Sequence, residues 1–325
     1  MGKVGNIEIG EKMIKKVAGI LLLFIFSILS VSFAETGDGG YAGPFRQLGL
    51  GARPMGMGGA FVSIADDASG CFWNPAGLVQ LEERKAGACY RMMFLDRRMA
   101  YVSYVQPAKD EAGIGLAWVN CGVGNVMGRD NKGEPTEKIS NSINSFSLSF
   151  SRKFLPWLAL GLTLRYTQFN LADINSYGLG FDFGVHTKFK KGLRMGAVVE
   201  DIGMKYSWSS GKYWERYDLT GSSSNEKFPI NLRLGASYLT LQEKLLVALD
   251  FYKSEHQNLK FSSGGEYWII ENLAGRMGYN RGVFTFGLGF KHYLDEEKNI
   301  SIDYVFITSR VEERPDHMIS MQFGF

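Results

Sequence analysis

Long uninterrupted apolar runs are almost absent from this sequence of 325 residues. Only one stretch, near the amino terminus, approaches the roughly 18 apolar residues of a spanning helix, which excludes a helical membrane bundle. An excess of one charge is also absent, because 36 basic residues stand against 33 acidic ones without a block of like charges, so no nucleic-acid partner is expected. Cys71, Cys89 and Cys121 have unrelated spacings and predict neither a metal site nor a disulfide framework.

Glycine and aromatic residues are abundant instead. The chain has 40 glycines, well above the average share of about 7%. Aromatic residues make up 14% of the chain, too many for a flexible low-complexity sequence. The composition therefore indicates a folded chain that needs glycine at many positions.

Residues 1–34 have the features of a secretory signal peptide. Lys12, Lys15 and Lys16 precede an apolar run over residues 17–29, and small residues follow up to Ala34. An amino-terminal anchor helix is the alternative, but the apolar run is short for one. We therefore expect cleavage after Ala34 and an exported mature chain.

From about residue 84 the sequence alternates with a period of two. Over Leu158–Tyr166, leucines and a tyrosine on one parity alternate with alanine, glycine, threonine and arginine on the other. The alternating segments are about 9 to 12 residues long, which suits tilted membrane-crossing strands better than the about 5 to 6 residues usual in soluble sheets. Periodicity alone also fits a soluble β-sandwich, but the signal peptide and the aromatic residues at strand ends favour a membrane barrel.

Fourteen strands are predicted, with twelve or sixteen as alternatives. The predicted starts are Arg84, Met99, Ala112, Ser142, Leu158, Asn175, Leu193, Phe228, Lys244, Leu259, Glu271, Val283, Asn299 and Asp316. The long connections over 121–141 and 202–227 follow the third and seventh strands, so both lie at one rim, as external loops do. The predicted fold class is an all-β membrane protein, a 14-stranded antiparallel outer-membrane β-barrel over residues 84–325. A protein of this fold class is expected in the outer membrane of a diderm bacterium, in contact with its lipids.

Residues 35–83 do not alternate and are rich in glycine and other small residues. A segment of this kind, attached to a barrel wide enough to need filling, predicts a hatch inside the lumen. A short helix is expected over residues 60–65. Neither the glycine spacing nor the adjacent aspartates make a nucleotide or cation site, so no cofactor and no metal is expected. The predicted hatch residues are Gly56, Gly58, Gly59, Asp66, Asp67, Asn74, Pro75 and Ala76.

The hatch segment also carries a family resemblance. Gly51-Ala-Arg-Pro-Met-Gly-Met-Gly-Gly-Ala-Phe-Val62, followed by Ala65-Asp-Asp-Ala68 and Trp73-Asn-Pro-Ala-Gly-Leu78, resembles the amino-terminal signature of the PorV/PorQ family, which is similar in fold to FadL- and TodX-type barrels. The resemblance implies a fourteen-stranded barrel with a hatch. It implies either passive transport of small hydrophobic molecules or a role in type IX secretion, binding cargo or translocon proteins. The strand that ends at Phe325 resembles the signal read by the barrel assembly machinery.

Charged residues on the inward parity form the predicted lumen lining: Arg165, Asp182, His186, Arg233, Asp250, Arg276 and Asp303. Their mixed signs predict pairing with one another or with the hatch, and not an ion-selective ring. The aromatic loop residues Tyr206, Trp208, Tyr213 and Trp214 are candidates for capture of an apolar ligand, with an aromatic girdle at the lipid headgroups as the alternative. No nucleophile elbow is present, so no catalytic residue and no enzyme activity are predicted.

Overall fold

The structure, a computed structural model, describes residues 40–325 except 125, 140, 173, 190–191, 211–213, 215–219, 296 and 310–313. The predicted signal peptide and Tyr213 lie outside the described residues. Residues 38–325 form one compact unit. Among the described residues, no helix combines the length and the apolar character needed to cross a membrane.

Fourteen antiparallel strands close into a barrel, which confirms the predicted fold class and strand number. They are β1–β3, β6–β9 and β12–β18, and β1 pairs with β18 to close the sheet. Each predicted start lies within three residues of the start of a barrel strand. The strands of the described part are β1 (Lys85–Met92), β2 (Arg97–Ala108), β3 (Ala112–Val123), β4 (Met127–Arg129), β5 (Pro135–Lys138), β6 (Asn141–Leu155), β7 (Leu158–Leu171), β8 (Ile174–Lys188), β9 (Leu193–Ile202), β10 (Lys205–Ser209), β11 (Ser223–Lys227), β12 (Asn231–Thr240), β13 (Leu245–Ser254), β14 (Gln257–Ile270), β15 (Leu273–Asn280), β16 (Val283–Tyr293), β17 (Asn299–Ile307) and β18 (Asp316–Gly324).

The four strands outside the barrel count lie in the two long connections, where the sequence predicted loops. β4 and β5 form a separate hairpin. β10 and β11 form a second hairpin, in which β10 pairs with residues 175–177 at the start of β8. Both hairpins lie at the same end of the barrel, which is called the long-loop rim below, and the opposite end is called the tight-turn rim.

Burial alternates along the strands in the sense expected of a membrane barrel. In β7, Leu162, Leu164 and Tyr166 are exposed, whereas Thr163 and Arg165 between them are buried. The exposed set continues around the barrel as leucine, isoleucine, phenylalanine and tyrosine side chains. An apolar outer surface over a polar inner face is the pattern of strands that contact lipid.

The described residues before β1, 40–84, lie inside the barrel and consist of short helices and turns. Two 3-10 helices cover Pro44–Leu48 and Pro75–Gln80, and two single-turn helices cover Ala52–Gly56 and Gly70–Trp73. The predicted helix over residues 60–65 is wrong, because only a turn forms there and Ala65 leaves the helical region with φ 39°.

Glycines in the wall let the hatch backbone approach closely. A Cβ atom on any of several inward-facing strand glycines would collide with the hatch. Gly58 of the hatch has φ +66° and lies directly against the backbone of Tyr279, so a side chain there would be both strained and blocked. The wall glycines in contact with the hatch include Gly161, Gly184, Gly196, Gly264 and Gly278. The glycine excess of the composition thus serves contact between wall and hatch.

Candidate functional site: the barrel lumen

Apolar side chains cluster inside the lumen near the long-loop rim, beside a buried ion pair between Arg91 and Asp316 at 2.6 Å. Inward-facing side chains at the ends of several strands pack there against apolar residues of the hatch. We call this set the apolar cluster; its wall members include Met99, Tyr101, Val119, Ile143, Val305, Ile307 and Met318, and its hatch members include Phe45, Leu50, Met55, Phe72 and Trp73. The interiors of membrane barrels are usually polar. An apolar interior at one end is therefore a feature that barrel architecture alone does not require.

Methionine is prominent in the apolar cluster. Met55 and Met57 come from the hatch, Met99 and Met318 come from the wall, and Met204 follows β9. Unbranched thioether side chains adapt to irregular gaps and recur on surfaces that accept varied apolar partners. The cluster is therefore rich in side chains that can change conformation at little cost.

Four aromatic rings, called the aromatic group below, extend the apolar cluster towards the long-loop rim: Phe169, Tyr206, Trp208 and Phe228. The Tyr206 ring centroid lies 4.7 Å from that of Phe228, 5.5 Å from that of Trp208 and 5.7 Å from that of Phe169. Tyr206 is only 1% exposed. The sequence singled out Tyr206 and Trp208, which the structure brings together, whereas Trp214 is exposed elsewhere in the loop.

The aromatic group touches the start of the hatch. Gly43 has φ +76°, and a Cβ atom there would overlap the ring of Phe228. The next residues form the 3-10 helix that carries Arg46. The ring of Phe228 thus lies directly against the backbone that leads into the helix of Arg46.

Arg46 is the centre of a buried charge cluster. Its guanidinium lies 3.2 Å from Asp182 Oδ2 and 2.9 Å from Glu200 Oε1, and its Nε is 3.6 Å from Asp201 Oδ1. Asp182 also pairs with Arg165. Burial alone would lower the pKa of Arg46, but attraction to Glu200, Asp182 and Asp201 outweighs it and raises that pKa. The guanidinium is therefore held in its charged form.

A bulge in the wall supplies two of these carboxylates. Glu200 and Asp201 are adjacent in sequence, yet both side chains are buried in the lumen. The pairing of β8 with β9 shifts register there, and Asp201 has φ 64°. A β-bulge turns two successive residues towards one face. Strict alternation assigns Asp201 to the outside, which is why the sequence interpretation did not include it.

Arg53 is the centre of a second charge cluster, nearer the tight-turn rim. Its guanidinium contacts Asp66 at 2.6 Å and Glu266 at 2.9 Å. Arg276 of the wall contacts the same Glu266 at 2.6 Å and Asp303 at 2.7 Å. Burial would raise the pKa of Asp66, but Arg53 and Arg194 lower it well below its usual value. Hatch and wall therefore share one ionic network.

Two further predicted lining residues bind the hatch backbone. Asp250 Oδ2 accepts hydrogen bonds from the amides of Phe61 at 2.8 Å and Val62 at 2.9 Å. His186 Nε2 lies 3.0 Å from the carbonyl oxygen of Ser63. Arg233 contacts Glu200 at 3.0 Å. The structure thus places all seven predicted lining residues on the inner face, each bonded to the wall or the hatch.

Sequence reasoning missed four of the residues in these networks besides Asp201. Glu200 and Glu266 lie on the inward parity of their strands, so the same alternation rule could have found them. Arg46 and Arg53 lie in the irregular hatch, where no periodicity indicates which side chains reach the wall.

The predicted hatch residues divide between packing and bonding. Gly56 lies against Arg276, and Gly59 against Trp73. Asn74 Oδ1 accepts from the amide of Ala76 at 3.0 Å and so caps the 3-10 helix that begins at Pro75. Asp67 accepts from the amide of Ser69 at 2.8 Å. These contacts fix the shape of the hatch.

A polar cavity of about 210 Å³ lies beneath the hatch, towards the tight-turn rim. Its lining includes Arg53, Asp66, Lys85, Trp268 and Lys291. The lumen therefore carries the apolar cluster towards the long-loop rim and a polar cavity towards the tight-turn rim, with buried ion pairs between and beside them.

No protein-family profile and no curated protein matches this chain. Solved structures do match its fold. The Pseudomonas putida toluene transporter TodX is 15% identical, with a TM-score of 0.59 over 85% of this chain and 98% of that chain. A deltaS2 mutant of the TodX monoaromatic hydrocarbon channel is also 15% identical, with a TM-score of 0.60 over 85% of this chain and 98% of that chain. A Pseudomonas aeruginosa FadL homologue is 11% identical, with a TM-score of 0.56 over 83% of this chain and 96% of that chain. The chain has the fold of FadL- and TodX-type outer-membrane channels, and its apolar outer surface agrees with an outer-membrane location.

Proposed function

We propose that this protein is an outer-membrane channel for the passive passage of small hydrophobic molecules. The observation that carries the proposal is the apolar cluster inside the long-loop end of the lumen. A pore for ions or sugars gains nothing from apolar walls, whereas an apolar solute gains about 25 cal/mol for each Å² that it removes from water. The likeness in fold to a toluene transporter and to a monoaromatic hydrocarbon channel supports the same substrate class.

The hatch is the barrier in this proposal. It contributes residues to both the apolar cluster and the lining of the polar cavity, and it is held by the Arg46 and Arg53 clusters. A solute that leaves the apolar cluster must therefore wait for part of the hatch to move. The domain organisation that goes with the proposal is a signal peptide over residues 1–34, a hatch over 35–83 and a barrel over 84–325.

Transport into liposomes tests the proposal. Purified protein is reconstituted, and uptake of radiolabelled toluene is compared with that of protein-free liposomes. Met99→Lys, which puts a charge into the apolar cluster, is expected to reduce uptake about tenfold, because an uncompensated charge in an apolar site is strongly unfavourable. Thr136→Lys adds the same charge on the exposed β5 and is the control. Uptake no faster than in protein-free liposomes would refute the proposal.

The secretion role stays a prediction from the resemblance of the hatch segment to the PorV/PorQ family. Binding of cargo or translocon proteins would use external surfaces and would not need an apolar lumen. Recognition by the barrel assembly machinery likewise stays a prediction from a resemblance. Its proposed contact is Phe325, whose ring is stacked on that of Phe323 with centroids 5.3 Å apart.

A further inference from the structure

The hydroxyl of Tyr206 is buried without a hydrogen-bond partner among the described residues. Its side chain is 1% exposed and is enclosed by the rings of Phe169, Trp208 and Phe228. A buried hydroxyl that makes no hydrogen bond is unfavourable, and such groups in folded proteins call for a specific reason. Tyr252, also buried in the lumen, shows the ordinary arrangement, because its hydroxyl donates to Asn231 Oδ1 at 2.7 Å.

We propose that the aromatic group is a selective binding site, in which Tyr206 donates a hydrogen bond to a neutral, flat apolar molecule that carries one acceptor oxygen. This inference rests on the proposed function and narrows its substrate class from small hydrophobic molecules in general to aromatic ketones, aldehydes and ethers. Tyr206 is a specificity-determining residue in this site.

The rings select for shape. The three neighbours of Tyr206 have centroids 4.7–5.7 Å from its own, and their planes are tilted by 50–67°. Aromatic rings at such distances and angles favour further aromatic contacts of the edge-to-face kind. Trp208, which is only half-buried, is the member of the group through which a ligand can enter from the long-loop rim.

Nearby charge selects for neutrality. Glu226 stands directly opposite Tyr206 in the β10–β11 ladder, and its Oε2 accepts from Trp208 Nε1 at 3.1 Å. A carboxylate on the ligand would be repelled by Glu226. A cation would be attracted to Glu226 but would offer the Tyr206 hydroxyl no acceptor. A neutral carbonyl or ether oxygen meets both requirements.

Two probes of nearly equal shape test the inference. Ethylbenzene and acetophenone differ mainly in a carbonyl oxygen, and phenylacetate adds an anionic arm. Binding of each to the purified full-length protein in detergent is measured by calorimetry for wild type, Tyr206→Phe and Tyr252→Phe. Partition of a probe into micelles is the same for every variant and cancels in the comparison.

Tyr206→Phe is expected to raise the Kd of acetophenone about three- to tenfold, the effect of one lost hydrogen bond, and to leave the Kd of ethylbenzene unchanged. Phenylacetate is expected to bind the wild type less tightly than acetophenone. Tyr252→Phe is expected to lower the melting temperature, since it breaks an existing hydrogen bond, without altering the preference between the probes. Tyr206→Phe is expected to keep the wild-type melting temperature, because its hydroxyl has no bond to lose.

Failure of the inference and failure of the proposed function give different results. If ethylbenzene binds and the Kd of acetophenone is the same in wild type and Tyr206→Phe, the selective site is refuted and the channel proposal stands. A lower melting temperature for Tyr206→Phe would show that the hydroxyl already has a partner and would also refute the site. If neither neutral probe binds the wild type, both proposals fall.

Discussion

The two ends of the lumen differ in what their side chains can do. At the long-loop end, methionine and phenylalanine side chains pack without directional bonds, so these contacts can be exchanged for contacts with a solute at little cost. In the middle, each arginine is fixed by carboxylates at 2.6–3.6 Å, and a solute cannot replace those partners. The apolar end is suited to binding, and the charged belt is suited to holding the hatch.

The difference also explains why the buried charges are arranged in pairs. Removal of a single partner from a buried ion pair leaves an uncompensated charge and costs about 3–5 kcal/mol. A hatch held in this way stays in place until several contacts open together. The Arg46 and Arg53 clusters therefore hold the hatch cooperatively.

Among the substitutions considered, Arg276→Glu is expected to have the largest effect on how firmly the hatch is held. It would place three carboxylates together, since Glu266 and Asp303 already contact Arg276. We expect the hatch to loosen and the conductance in planar bilayers to rise severalfold, because like charges in a buried site repel strongly. Arg233→Glu should act in the same direction through Glu200.

The matched control is Lys153→Glu, which breaks an exposed pair with Glu111 at the tight-turn rim. Exposed pairs contribute about 0–1 kcal/mol, so conductance should stay at the wild-type value. Unchanged conductance for both Arg276→Glu and Arg233→Glu would show that lumen charges do not hold the hatch. Heat-modifiable migration on gels establishes that each variant has folded.

Asp250→Ala is expected to give an intermediate effect. It removes the acceptor for the amides of Phe61 and Val62, and each unsatisfied amide costs about 1–3 kcal/mol. We expect a lower temperature for the gel-mobility transition. Asp250→Asn, which keeps an acceptor oxygen, should recover part of the loss. An equal transition temperature for Asp250→Ala and wild type would remove Asp250 from the set of residues that hold the hatch.

Labelling of Cys71 with a maleimide is expected to disturb the hatch least, because the rate of labelling reports on the hatch without a charge change in it. Burial raises the pKa of the Cys71 thiol to about 12, so almost no thiolate is present at pH 8. In a Cys89→Ala, Cys121→Ala background, maleimide should react far more slowly than with the unfolded protein. Addition of Arg276→Glu should accelerate the reaction. Fast labelling without that substitution would contradict a closed hatch.

The barrel could be predicted from the sequence because the alternation of inward and outward side chains is a local pattern along each strand. Alternation along Leu158–Tyr166 places Arg165 inside and Tyr166 outside, and the same rule located every barrel strand within three residues. The rule failed where the backbone breaks the alternation. At the bulge, Asp201 turns inwards, and beyond it β10 and β11 form a hairpin where loops were predicted.

The candidate site could be predicted only in part. Tyr206 and Trp208 were named as aromatic candidates, but their contacts with Phe169 and Phe228 join positions up to 39 residues apart in sequence. The charged lining was named from parity, whereas the hatch arginines that complete it were not. Arg46 meets Asp182 across 136 positions of sequence, and no local pattern carries that information.

By itself, the sequence determined which side of each strand meets lipid, how many barrel strands there are and where the long loops lie, because a period of two fixes the direction of the side chains wherever the strands are regular. Only the tertiary structure decided which arginine meets which carboxylate, that apolar side chains cluster at one end of the lumen, and that the hydroxyl of Tyr206 has no partner among the described residues. These are contacts between distant segments, and they exist only when the barrel closes around the hatch.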